Sequence, residues 1–184
     1  EKELQALSLF QKSTGQNCVN RIYDSLSSGR KALIKAVYPS DEDCIQAWER
    51  MIYPVRPVEN ASAENITKKG EQVRSKSEVL IANALYDAKI PYHYEMPLDL
   101  NDRRVWPDFA ILDLRSRKAI YWEHFGMMDQ EKYREDAAGK VLSYQRSGDL
   151  FGQDLIATFE SASRPLGTRD IDRMISNLLA PFYT

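Results

Sequence analysis

The sequence predicts an α/β (α+β) fold in which helices flank a central mixed β-sheet. After about residue 75, stretches with helical spacing of apolar residues alternate with short β-branched and aromatic stretches. Their order is helix, three strands, helix, strand, helix, and this order is typical of a mixed sheet covered by helices. The 184 residues are 43% hydrophobic and 28% charged, which indicates a globular chain.

Composition excludes several classes of protein. No apolar run approaches the roughly 20 residues of a membrane-spanning helix, so no membrane partner is expected. Cys18 and Cys44 are too few for a disulfide framework or a thiolate zinc site, which favours a reducing, cytoplasmic location. The net charge of -2 does not decide for or against nucleic acid, because phosphate binding depends on local positive charge.

Residues 1–67 are predicted to form an N-terminal helical segment and a linker. Leu4, Leu7 and Phe10 lie at helical spacing, a second helix is expected over residues 20–36, and a third from about 41 to 51. Two prolines and polar residues follow and indicate the linker. The N-terminal helices could pack on the protein's own core, which we favour, or form a homodimer or partner interface.

Residues 68–184 are predicted to form the domain that carries the chemistry. Apolar periodicity and turn residues give its elements in order. They are a helix at 75–88, strands at 92–98, 105–112 and 119–126, a helix at 129–147 ending before Gly148, a strand at 154–160 and a helix at 168–179.

Two carboxylates interrupt predicted strands that are otherwise apolar and aromatic. Glu123 follows Ala-Ile-Tyr-Trp, and Asp108 lies fifteen residues earlier in Val-Trp-Pro-Asp-Phe-Ala-Ile-Leu. A buried carboxylate costs several kcal/mol unless a metal, a cation or hydrogen bonds compensate it. Alternatively, Asp108 is an ordinary strand-entry aspartate after Pro107, and Glu123 faces water from an edge strand.

A third carboxylate, Glu78, falls on the apolar stripe of the helix that precedes these strands. It also completes a capping box with Ser75, and taken alone this capping role is the better interpretation. Together, the three carboxylates are hard oxygen ligands suited to Mg²⁺ or Mn²⁺. Such an ion can polarise a phosphodiester and activate water.

The order helix-Glu78, Pro107-Asp108, then Glu123 on the next strand resembles the core of the PD-(D/E)xK nuclease superfamily, which has the restriction-endonuclease-like fold. The resemblance covers about residues 75–160. It implies an αβββαβ core and a Mg²⁺- or Mn²⁺-dependent phosphodiesterase, a deoxyribonuclease and more specifically an endonuclease. It further implies that Asp108, Glu123, Glu78 and the backbone carbonyl of His124 hold the metal.

One position departs from the family pattern, because Phe125 stands where the family has a lysine. Lys140 is the favoured replacement, since it shares a face of the following helix with Tyr133, Ala137 and Tyr144. Some members of the superfamily are similar in carrying the lysine there. Tyr144 corresponds to the tyrosine of the Gln-x-x-x-Tyr motif of RecB-like nucleases. Lys140 would then be catalytic and Tyr144 supporting.

Basic residues before the first helix of this domain are candidates for contacts with DNA. Lys68, Lys69, Arg74 and Lys76 cluster there, although ordinary solvated turns look the same. The departure at Phe125 leaves two alternatives open. The chain could be a catalytically inactive nuclease-fold domain that binds DNA. It could also be a protein-interaction domain in which Glu78 only caps its helix and Glu123 faces solvent, an alternative that the near-neutral net charge supports.

Overall fold

The computed structural model describes residues 25–31, 39–56, 64–149 and 151–179. The chain divides into two compact units, Glu1–Gln46 and Ala47–Thr184. The boundary between 67 and 68 expected from the sequence stays a prediction. The expected helix at Leu4, Leu7 and Phe10 lies outside the described residues, as do parts of the helix at 20–36 and of the linker.

The described residues contain alternating helices and strands, which confirms the α+β class. The helices are α1 (Ser28–Lys31), α2 (Asp41–Glu49), α3 (Lys76–Asp87), α4 (Glu131–Ser147) and α5 (Thr168–Met174), the last continuing as a π-helix over Ile175–Leu179. The strands are β1 (Tyr92–Tyr94), β2 (Leu98–Asp99), β3 (Arg104–Val105), β4 (Phe109–Asp113), β5 (Lys118–Phe125) and β6 (Leu155–Phe159). No helix that the described residues form is long and apolar enough to cross a bilayer.

The main sheet has four strands in the order β1-β4-β5-β6, and β2 and β3 form a separate hairpin. β4 is antiparallel to β1 and β5, whereas β6 is parallel to β5, so the sheet is mixed as expected. The connection between the parallel strands passes through α4. Because β5 is paired on both sides, the interpretation of Glu123 as a residue on an edge strand is wrong.

Helices cover the two faces of this sheet. Ile81, Leu85 and Ile171 of α3 and α5 share one apolar cluster with Phe109 and Trp122 of the sheet. A second cluster joins residues of α4, β6 and the hairpin: Leu100, Val105, Tyr144 and Leu155, with Leu98 and Tyr121 against it. Alternation along β5 therefore directs Trp122 towards α3 and α5, and Tyr121 and Glu123 towards α4.

Two predicted strands are shorter than expected. The strand expected over 92–98 ends at Tyr94, because Glu95 adopts a left-handed conformation with φ 47°. The strand expected over 105–112 is interrupted between Val105 and Phe109. Pro107 lies in the gap and cannot donate to a strand ladder, which explains the interruption.

Helix termini agree closely with the expected ones because their signals are local. The Oγ of Ser75, at the N-cap of α3, accepts a hydrogen bond from the Glu78 amide at 3.2 Å. α4 ends at Gly148, whose φ of 96° places it in the left-handed region that glycine adopts without strain. Ser40 similarly caps α2 through the amide of Asp43, at 3.1 Å.

Candidate active site

Four carboxylates gather at one end of the main sheet, where β1 and β5 end, β4 begins and α3 starts. They are Glu78, Glu95, Asp108 and Glu123. The charges of Glu123 and Glu78 both act on Asp108, and that of Glu95 acts on Glu123. The structure therefore brings together the three carboxylates that the sequence singled out and adds a fourth.

Glu123 is almost fully buried, with 2% of its side chain exposed, and α4 supplies its partners. Lys140 Nζ lies 2.6 Å from Oε1 and 2.7 Å from Oε2, and the Tyr144 hydroxyl donates to Oε1 at 2.5 Å. Burial raises the pKa of Glu123, and Lys140 and Tyr144 oppose that rise. The apolar face of α4 thus directs Lys140 inward onto the strand glutamate.

Asp108 lies between β3 and β4 and accepts the amide N–H of His124 on Oδ2, at 2.5 Å. Its surface is partly exposed, yet the protein packed around its carboxyl removes most of the water. This desolvation, followed by the charge of Glu123, raises the pKa of Asp108 well above its usual range, and Lys140 only partly offsets the rise. No described residue donates a hydrogen bond to Oδ1.

Glu78 is buried, and its carboxylate accepts three hydrogen bonds. Oε1 receives the Ser75 hydroxyl at 2.9 Å, and Oε2 receives the Arg74 amide at 2.9 Å and the Tyr94 hydroxyl at 2.6 Å. The first two complete a capping arrangement, with the Arg74 amide in the place expected for that of Ser75. Glu78 therefore caps α3 and is also buried, so the two roles that the sequence offered for it are compatible.

Glu95 was missed as a site residue. Its side chain pairs with Arg74, with Nε 2.8 Å from Oε1 and Nη2 3.1 Å from Oε2, and its amide donates to the Asp108 carbonyl at 3.1 Å. It is buried and has φ 47°, a conformation typical of functional or strained positions. The available signal was an acidic residue directly after Tyr92-His93-Tyr94, the same kind of interruption as at Glu123.

The basic residues expected to contact DNA are mostly paired with acids. Lys68 forms a salt bridge with Asp87, and Lys69 lies 3.2 Å from Glu71 and over the Tyr92 ring. Arg74 is bound to Glu95, as described above. Lys76 is exposed at the start of α3 and has no contact with a described acid. A phosphate would therefore have to compete with carboxylates for three of these four cations.

The side chain of His124 contacts β6, whereas its backbone amide contacts Asp108. Its ring points away from Glu123, with Nδ1 3.0 Å from the Thr158 hydroxyl, while Nε2 lies 3.1 Å from Glu160 without hydrogen-bond alignment. The pairing of β4 with β5 ends at Phe109 and Trp122, the latter two residues before His124. The His124 backbone thus lies beyond the pairing of β4 with β5, and its amide donates to Asp108 instead of to a strand. Its carbonyl is a candidate oxygen ligand.

The donor set fits a divalent cation in chemistry and in charge. If ionised, the four carboxylates exceed the two cations Arg74 and Lys140 by two negative charges, which equals the charge of Mg²⁺ or Mn²⁺ with opposite sign. Within the described residues no three acidic, histidine or cysteine side chains already enclose a metal position. Because Lys140 contacts both oxygens of Glu123, binding would require Glu123 to share one of them.

Comparison with known proteins relates part of this chain to an uncharacterized archaeal protein. No protein-family model and no solved structure matches this chain. A stretch of 83 residues, 45% of the chain, is 41% identical to the uncharacterized protein MJ1519 of Methanocaldococcus jannaschii. The matched stretch spans 7% of that protein's length. The similarity therefore carries no statement about activity.

Proposed function

We propose that this chain is a metal-dependent nuclease that hydrolyses phosphodiester bonds of DNA as an endonuclease, inside the cell. The observation that carries the proposal is the contact of Lys140 with Glu123 beside Asp108, whose pKa is raised by burial and by the charge of Glu123. It fits the resemblance to the PD-(D/E)xK superfamily, with the missing strand lysine supplied from α4. The proposed cofactor is Mg²⁺ or Mn²⁺.

Asp108, Glu123 and the His124 carbonyl would hold the cation, with Glu78 as the helix carboxylate. When bound, the cation supplies polarisation of the phosphodiester and a lowered pKa of water. Lys140 Nζ, held at Glu123, would hydrogen-bond the attacking water and balance charge on the scissile phosphate. The Tyr144 hydroxyl orients Glu123 by donating a hydrogen bond to it, and the Tyr94 hydroxyl does the same for Glu78. Pre-set donors of this kind do not have to reorganise during the reaction.

The test is cleavage of linear, nicked, branched and single-stranded DNA in Mg²⁺ and in Mn²⁺. We expect Asp108→Ala and Glu123→Ala each to abolish cleavage. Lys140→Ala should lower kcat while the affinity for the metal persists, because Lys140 is not a ligand. Asp136→Ala, an exposed carboxylate on α4, is the matched control and should cleave normally. Absence of cleavage on every substrate with both metals would count against the proposal.

A catalytically inactive domain that binds DNA, or one that binds a protein, is the alternative. The hydrogen bonds of Glu123 favour this alternative, because both carboxylate oxygens already accept from Lys140 or Tyr144 and a metal would have to share one of them. This alternative requires salt-dependent DNA binding, or protein binding, without turnover. Metal-dependent hydrolysis that disappears in Asp108→Ala would remove it.

A further inference from the structure

Trp106 is a partly exposed aromatic residue beside the carboxylates. Along residues 105–108 burial alternates, with Val105 and Pro107 buried and Trp106 and Asp108 partly exposed. Trp106 therefore reaches the surface two residues before Asp108 in the chain. The Trp106 carbonyl also lies 3.4 Å from Lys140 Nζ, which ties this segment to the site.

Arg56 supplies a cation at the same place. Its guanidinium carbon lies 5.6 Å from the centroid of the Trp106 ring, within the range of a cation–π contact, and its side chain is exposed. No ion pair joins Arg56 to a described carboxylate, in contrast to Lys68, Lys69 and Arg74. An aromatic surface and an exposed cation thus adjoin the proposed catalytic groups.

The other tryptophans show what a purely structural indole looks like in this protein. Trp122 is fully buried, and Trp48 is 7% exposed. Both are buried, whereas Trp106 is only partly buried among the described residues.

We propose that Trp106 and Arg56 form a subsite that stacks on an unpaired base and contacts the adjacent phosphate of a DNA strand at Asp108 and Glu123. This inference rests on the proposed nuclease function and narrows its substrate class to single-stranded or frayed DNA. Bases in a duplex already stack on their neighbours, so only an unpaired base offers its face to an indole. The guanidinium meets the phosphate, as arginine does in single-strand grooves.

Binding of a fluorescent oligothymidine and of a blunt duplex of equal length tests the subsite. The measurement is fluorescence anisotropy with Ca²⁺ in place of Mg²⁺, so that it is independent of turnover. We expect the single strand to bind more tightly, and Trp106→Ala to weaken single-strand binding by about tenfold with little change for the duplex. Trp106→Phe should retain most of the preference, because it keeps an aromatic face. Arg56→Ala should weaken both and reduce the salt dependence.

Tyr86→Ala is the matched control, since it removes an aromatic side chain that is 50% exposed on α3. It should leave both affinities unchanged. As a second measurement, oligothymidine should quench tryptophan emission in the wild type and not in Trp106→Phe, because Trp48 and Trp122 are buried. Equal binding of both DNAs, or a single-strand affinity indifferent to Trp106→Ala, would overturn the subsite.

The failure of the subsite is distinguishable from failure of the proposed function. If DNA is cleaved in an Asp108-dependent manner but neither binding nor cleavage depends on Trp106, the subsite alone is wrong. If single-strand binding depends on Trp106 and no metal supports cleavage, the nuclease function alone is wrong.

Discussion

Asp108 and Glu123 are carboxylates whose pKa values the protein raises, and burial is the first cause in both. They differ in their compensation. Glu123 has Lys140 and Tyr144 within hydrogen-bond distance, whereas Asp108 has a single backbone amide and the charge of Glu123 nearby. Burial and the charge of Glu123 therefore favour the protonated form of Asp108, and a bound cation would favour the ionised form.

Asp108→Asn should stabilise the metal-free protein at neutral pH. The folded protein binds the Asp108 proton more tightly than the unfolded chain, in which an aspartate titrates near ~3.9. The stability associated with that proton is present at acid pH and is lost as pH rises through the folded pKa. The neutral amide avoids the loss, and each 1 kcal/mol gained would raise Tm by about 2–4 °C. Thermal unfolding in EDTA across pH measures the difference.

The difference in Tm between Asp108→Asn and the wild type should be smallest in acid and grow with pH. Asp136→Asn, an exposed change on α4, should show no such growth. If both variants have the Tm of the wild type at every pH, the charge on Asp108 does not destabilise the folded protein.

Lys140→Met should destabilise the protein because it leaves Glu123 buried without its cation. Removing one partner of a fully buried ion pair costs about 3–5 kcal/mol. Lys140 is 27% exposed, so we expect a smaller cost of about 2 kcal/mol. Urea denaturation measures it. Adding Glu123→Gln to Lys140→Met should recover part of the loss, because the uncompensated charge is then gone.

Lys132→Met is the matched control, being an exposed lysine on the same helix. It should change the free energy of unfolding by no more than about 0.5 kcal/mol. Equal losses for Lys132→Met and Lys140→Met would mean that the contact with Glu123 contributes nothing to stability.

Two glycines, one within α4 and one at its C-terminal cap, should respond to alanine in opposite ways. Gly139 lies within the helix with open space where a Cβ would stand, so Gly139→Ala should stabilise by about 0.5–1 kcal/mol through helix propensity. Gly148 has φ 96°, which an alanine adopts only with strain, so Gly148→Ala should destabilise by roughly 1 kcal/mol. Urea denaturation of both variants gives the signs, and a shared sign would contradict the assigned conformations.

The helices were predictable from sequence because their signals are local. Ser75 begins α3 and Gly148 ends α4 at the expected places, and the apolar stripe of α4 indicated which face carries Lys140. The strands were less predictable, since the breaks after Tyr94 and before Phe109 come from backbone features that periodicity does not report. The expected gathering of the carboxylates depended on their order along neighbouring elements.

The contribution of Glu95 could not be read from spacing. Its partner Arg74 lies 21 residues away, and the pairing depends on how α3 meets the end of β1. Arg74 itself looked like a contact for phosphate because it belongs to a basic cluster. The structure shows its charge directed inward, which a count of charges along the sequence does not reveal.

The site as a unit should bind divalent cations before any DNA is present. A ligand that binds only the folded state stabilises it by RT ln(1 + [L]/Kd), about 2.7 kcal/mol at one hundred times Kd. Mg²⁺, Mn²⁺ or Ca²⁺ should therefore raise the Tm of the wild type in proportion to the logarithm of concentration. Differential scanning fluorimetry measures the shift without reference to turnover.

Glu123→Gln and Asp108→Asn should each reduce this shift, because each removes a charged oxygen ligand. Lys140→Met should keep it or increase it, since the lysine competes with the cation for Glu123. An identical metal response in Asp108→Asn and the wild type would place the binding of the ion elsewhere in the molecule.

The lysine of this site is carried by a helix and not by the strand that carries its partner. Two residues on one strand keep a fixed separation, because the pleat of the backbone sets it. Lys140 and Glu123 lie on different elements, and their separation follows from how α4 packs through Tyr144 on the sheet. A tilt of α4 would therefore change the distance between Lys140 and Glu123. The position of this helix thus controls whether the charge of Glu123 is neutralised by the lysine.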